Sequence, residues 1–148
     1  TTGHAPSAHQ CVERFIDLFP PEQRYLAQTR LASLLIAVVC QTLVPRMDGS
    51  GRIAAVEIML GTTAVANLIR EGKVYQLPNV IRTSTQEGMQ TRDQSLVYLY
   101  LEGIIGGEAV LTVCQDREEV ERLISTKYET ESLTMAAAKP SEQPKGEG

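Results

Sequence analysis

Apolar positions change their period twice along the chain, and each change predicts a different kind of element. After Ser7, the apolar residues Ala8, Cys11, Val12, Phe15, Ile16 and Phe19 recur at the spacing of one helix face. Ser7 with Gln10 three residues on makes the S-x-x-Q pattern of a capping box, which marks the start of that helix. Pro20-Pro21 ends it and opens a second helix over about Glu22 to Leu34, because proline is tolerated in a first turn. From Ile36 to Pro45 the residues become β-branched and apolar, the pattern of a strand buried on both faces. Met47-Asp48-Gly49-Ser50-Gly51 supplies turn chemistry, and Arg52 to Leu60 reads as a partner strand. The expected hairpin carries Val56, Ile58 and Leu60 on one face and Ile53, Ala55 and Met59 on the other.

Beyond Gly61 the helical period returns. Thr62 or Thr63 can cap a helix ending at Gly72, and Val74 to about Ser84 forms another that Gly88 interrupts. Thr91-Arg92-Asp93-Gln94 is a second capping box and opens a helix to Glu102. Two further helices are expected over Glu108–Cys114 and Arg117–Ser125, the latter capped by Asp116. From about Tyr128 the residues are polar and small, which predicts a disordered tail over 128–148.

Composition narrows the function classes. The chain has 148 residues, of which 43% are hydrophobic and 22% charged, values ordinary for a globular protein with a real core. A net charge of −4 and the absence of Trp argue against nucleic acid as a partner. No run of about twenty apolar residues is present, so a soluble cytoplasmic protein is expected. Cys11, Cys40 and Cys114 lie far apart without a CxxC pair and read as buried thiols. The chain opens Thr-Thr-Gly-His without methionine, which suggests that residue 1 is not a translation start and that sequence precedes it.

Candidate chemistry is sparse. His4 and His9 are the two histidines, with no cysteine at metal-ligand spacing, so no metal is expected. A trio of Ser7, His4 and Asp17 could be drawn as a nucleophile, base and orienting acid, but nothing in the spacing favours it over chance. No GxxxxGK[ST] loop occurs, so this chain has no phosphate cradle of its own.

Four segments in order do carry a signal. TGHAPSAHQCVERFIDLF (Thr2–Phe19) resembles the His box of the PilT-like type IV pilus retraction ATPases, members of the secretion ATPase superfamily, and the helix after it. CQTLVPRMDGSGRIAAVEIML resembles their central hairpin, TTAVANLIREGKVYQL their Ala-Ile-Arg-Asn-Leu-Ile-Arg-Glu signature, and GMQTRDQSLVYLY the Gly-Met-Gln-Thr stretch that follows. The resemblance runs in one register from about Thr1 to Ile124.

The resemblance implies an α/β fold: the C-terminal part of a RecA-like P-loop ATPase core over 1–60, then a helical C-terminal subdomain over 61–127. It implies that His4 is the family's catalytic histidine near the nucleotide γ-phosphate, where a neutral imidazole can donate to oxygen or orient water. It also implies that Asn67, Leu68, Ile69, Arg70 and Glu71 couple hydrolysis to retraction or face a partner. For the full-length parent it implies Mg-ATP as cofactor, a homo-hexamer, inner-membrane platform proteins at the pilus base as partners, and a site peripheral to the inner membrane.

The bland readings are an unpartnered terminal His4 and an ordinary amphipathic helix with a solvated face at Asn67–Glu71. One charge-assisted hydrogen bond is worth roughly 1.5–3 kcal/mol, whereas micromolar binding requires about 8 kcal/mol, so His4 alone would not hold ATP. The chain by itself is therefore expected to bind no cofactor and to hydrolyse no ATP. Three departures from the family pattern stand out: Ala66 replaces the signature's Arg, Gly3 and Pro6 alter the His box, and His9-Gln10 replaces a small residue and often a Lys. Two alternatives follow: a non-enzymatic module that binds and modulates full-length ATPase subunits, or a piece of a pilus-assembly or type II secretion ATPase. An open strand edge on the hairpin, inviting association, is a further expectation.

Overall fold

Residues 5–137 are described by a computed structural model, with side chains described through Tyr128. Helix α1 spans Ala8–Asp17, and a short 3-10 turn at Pro21–Gln23 leads into α2, Arg24–Leu34. Strands β1 (Ala37–Pro45) and β2 (Arg52–Leu60) form an antiparallel hairpin in which Ala37 faces Leu60 and Pro45 faces Arg52. Among the described residues the helices α3 (Thr63–Arg70), α4 (Leu77–Thr83), α5 (Arg92–Leu101), α6 (Gly107–Val113) and α7 (Arg117–Ala137) follow. The architecture is the expected α/β one: a hairpin with flanking helices, then a helical region.

The hairpin serves two hydrophobic clusters. Met59 joins Ala8, Val12 and Ile16 of α1, Val65 and Ile69 of α3, and Leu77 and Ile81 of α4. Val44 and Ala55 instead join Leu96 and Leu99 of α5, Ile105, Val110 of α6 and Val120 of α7. Period 2 in the strands therefore decides which side chains enter the cores, and the position along the strand decides which core they enter. The inward face of β2 carries Ala55, Glu57 and Met59, and the face expected to carry Ile53, Ala55 and Met59 is indeed a single face.

Four sequence expectations are corrected. First, β1 is not buried on both faces: Ala37, Val39, Gln41, Leu43 and Pro45 are exposed, because the helices α1 and α6 that reach this strand leave its other side open. Second, Ser7 makes no capping bond to the backbone. Its hydroxyl lies 3.0 Å from His9 Nδ1 and donates to Gln10 Oε1 at 3.1 Å, while the Ala8 N–H donates to the Glu57 carboxylate, a stronger acceptor. Third, the last helix runs through Ala137 instead of ending near Ser125, so residues 128–137 are helical and not a disordered tail; good helix formers such as Leu133, Met135 and Ala136 favour this. Residues 138–148 of that expected tail lie outside the described residues. Fourth, Cys11, Cys40 and Cys114 are free thiols but only half-buried.

The second capping box forms as expected. The Thr91 hydroxyl accepts from the Gln94 N–H at 3.1 Å, and Gln94 Oε1 accepts from the Thr91 N–H at 2.9 Å. Between β2 and α3 the chain crosses the start of β1, where the Gly61 N–H donates to the Ile36 carbonyl at 2.7 Å. A Cβ at Gly61 would overlap the Leu35 carbonyl, so only glycine fits this crossing. No helix among the described residues is long and apolar enough to cross a membrane.

Candidate functional site

His4 lies outside the described residues, but the turn that follows it is well anchored. Ser7 is 2% exposed and Ala8 fully buried. Glu57, itself buried on the inward face of β2, reaches the first turn of α1 and accepts from the Ala8 N–H at 2.6 Å. A carboxylate at this place also complements the positive end of the helix dipole. Arg92, the first residue of α5, points Nη1 at the Pro6 carbonyl and at the Thr42 hydroxyl, each at 3.5 Å. The Arg92 Nε is buried without a hydrogen-bond partner.

Cys40 stands opposite Glu57 in the hairpin register. Burial pushes its thiol up to about 11, with the negative charges of Glu57 and Cys11 adding to the shift and Arg92 opposing it. Among the described residues no group of three or more His, Cys, Asp or Glu side chains could hold a metal ion.

Helix α3 forms the second candidate element. Thr62 caps it by accepting from the Val65 N–H at 3.4 Å. Val65 and Ile69 are fully buried, Leu68 and Ala66 are packed partly against the same core, and Asn67, Arg70 and Glu71 are exposed. The exposed side is organised: Arg70 Nη1 donates to Asn67 Oδ1 at 2.8 Å, and Lys73 Nζ pairs with Glu71 at 2.8 Å. The Lys73 partner holds the Glu71 carboxyl below its ordinary range, and Glu71 in turn raises the Lys73 ammonium. Of the five residues expected to couple, Asn67, Arg70 and Glu71 share the outer face, Ile69 is a core residue, and Leu68 lies between. Ala66, at the position where the signature has Arg, faces the core edge rather than solvent.

Two residues around the His-box turn escaped the sequence reading. Glu57 had a visible signal: it is the only charged residue in the run Ile53–Leu60, and a lone acid in an apolar strand calls for a partner. Arg92 had none, because its contacts lie 50 and 86 residues away in the chain. A further buried acid, Asp93, binds the loop before α7: its carboxylate accepts from the N–H groups of Gln115 at 2.9 Å and Asp116 at 2.8 Å.

With this geometry in hand, comparison with known proteins gives a consistent picture. The chain is 40% identical over 119 residues to a twitching motility protein of Neisseria gonorrhoeae, a match covering 80% of this chain and 32% of that one. It is 43% identical over 107 residues to the type IV pilus retraction ATPase PilT of Pseudomonas aeruginosa, covering 72% of this chain and 31% of PilT. The crystal structure of a pilus retraction motor PilT with bound ADP superposes with a TM-score of 0.71 at 33% identity, over 82% of this chain and 33% of that one. No family model matches the chain. The chain thus spans about a third of the length of the relatives it matches. In sequence and in fold it is similar to the PilT-like type IV pilus ATPases over that third of their length.

Proposed function

We propose that this chain is the coupling part of a type IV pilus retraction ATPase, a hexameric motor that hydrolyses Mg-ATP between subunits in the cytoplasm, at the inner-membrane base of the pilus. In that reading His4 faces the nucleotide γ-phosphate. The outer face of α3, Asn67, Arg70 and Glu71, passes the consequence of hydrolysis to a neighbouring subunit or to platform proteins. The observation that carries it is the anchoring of α3: Val65 and Ile69 hold the helix rigidly in the core while its polar face stays open and internally ordered. A face held in this way can transmit a push without melting.

The chain alone has no phosphate loop in its sequence, so purified material should release no phosphate from ATP. The coupling role is tested by Arg70→Ala with Glu71→Ala at the native gene. Twitching should be lost while the ATP turnover and thermal midpoint of the gene's product stay at wild-type levels, since both side chains are exposed. Normal twitching in the double variant would overturn the assignment. A second reading, a non-enzymatic module that docks on full-length subunits, is favoured by the open edge of β1; failure to co-elute with an intact retraction ATPase would dismiss it.

A further inference from the structure

Two charged side chains from different elements converge on residues 6–8, the turn directly after the His-box histidine. Glu57 is 49 residues from Ala8 in sequence, is 5% exposed, and spends its short 2.6 Å hydrogen bond on a backbone N–H instead of on a cation. Buried carboxylates are costly unless their acceptors are satisfied, and an apolar side chain would fill this core position with no such cost. What the acid adds is direction: it joins the first turn of α1 to the middle of β2 at one atom. Arg92 approaches the same turn from α5 through the Pro6 carbonyl, at the longer distance of 3.5 Å, and touches β1 through Thr42.

We propose that Glu57 is a positioning residue that fixes the stretch 6–8, which follows His4 in the chain, onto the hairpin, with Arg92 as a weaker second hold. The inference rests on the reading of His4 as the nucleotide-facing residue and adds the device that aims it. Through Glu57 and Arg92, β2, β1 and α5 all bear on residues 6–8, so a shift in the hairpin reaches this stretch without passing along α1.

The test compares Glu57→Met, which keeps the side-chain length but removes the acceptor, with Glu57→Gln, which keeps an oxygen acceptor. Amide hydrogen exchange at Ala8 and the ring proton resonances of His4 are read in the 148-residue chain without nucleotide. In Glu57→Met, exchange at Ala8 should accelerate at least about tenfold, the usual scale for a lost charged hydrogen bond. The His4 resonances should move, while α5 amides keep their protection. Glu57→Gln should restore both readouts, and Arg92→Met should give the same pattern at smaller size. Unchanged Ala8 exchange in Glu57→Met overturns the proposal. So does acceleration of α5 amides alongside Ala8, which marks a merely structural residue, or faster Ala8 exchange with His4 resonances that stay in place. Because no nucleotide or pilus is involved, these outcomes are separate from the fate of the motor reading.

Discussion

Cys40 shows how one residue reports on its surroundings. Its thiol sits on the inward face of β1 across from Glu57, and the same burial that packs it also opposes ionisation. An ordinary thiol of pKa 9.0 is half ionised at pH 9, whereas one at about 11 is ionised to roughly 1%, so alkylation by iodoacetamide at pH 9 should be about fiftyfold slower than for an unperturbed thiol. The sign for folding follows from the raised value. The folded state holds the proton longer than the unfolded one, so Cys40 adds no pH dependence below 9 and weakens folding as pH climbs from 9 toward 11. Site-resolved mass spectrometry of the alkylated chain measures the rate; a Cys40 rate equal to that of an unfolded peptide would refute the packing described here.

The junctions between elements are the places where a single atom matters. At the β2–α3 crossing, a methyl group at Gly61 has no room against the Leu35 carbonyl, and backbone cannot step aside as a side chain can. Gly61→Ala should therefore destabilise the chain by about 3 kcal/mol or more, the upper end of overpacking costs, as read by urea denaturation. A loss below about 1 kcal/mol would mean that the crossing relaxes freely. Much of this scale was legible in advance. The helix starts at Thr62 and Thr91 and both strands follow from capping patterns and β-branched runs, since these are local signals. The exposed side of β1 was not legible, because an apolar run does not say how many layers cover it. Ser7 misled for a related reason: a local S-x-x-Q pattern lost to an acid 50 residues further on, and no window of sequence contains both partners. Of the candidate site, α3 was readable from its period, whereas Glu57 and Arg92 around the His-box turn depend on tertiary placement.

At the scale of the molecule the hairpin has, among the described residues, one tied edge and one open edge. Ile58 exchanges two backbone hydrogen bonds with Gln90, and Val56 is satisfied by Ser95 and the Gln90 side chain, so the outer side of β2 is closed there. Opposed residues of an antiparallel pair share their bonding state, so Val39 and Gln41, facing Ile58 and Val56, direct their backbone groups to the open side of β1. Val39 and Leu43 are also 64% and 53% exposed beside it. An edge of this kind associates. Sedimentation velocity should show a mass that rises with concentration, and Val39→Lys with Leu43→Lys should return the chain to a monomer. A wild-type chain that stays monomeric through the dilution series would show that Pro45 and the local twist already protect this edge.

The sharing of the hairpin between two clusters also bears on how the chain comes apart. Val44 and Ala55 wall one cluster while Met59 closes the other, all on the same two strands. Peeling the hairpin away thus strips both helical groups of a wall at once, and neither keeps enough buried apolar surface to persist alone. Melting is then expected as a single transition, with loss of the α1–α3 packing coinciding with loss of the α5–α7 packing. For a part proposed to pass mechanical work along, such a common beam would join the two helical groups through one pair of strands.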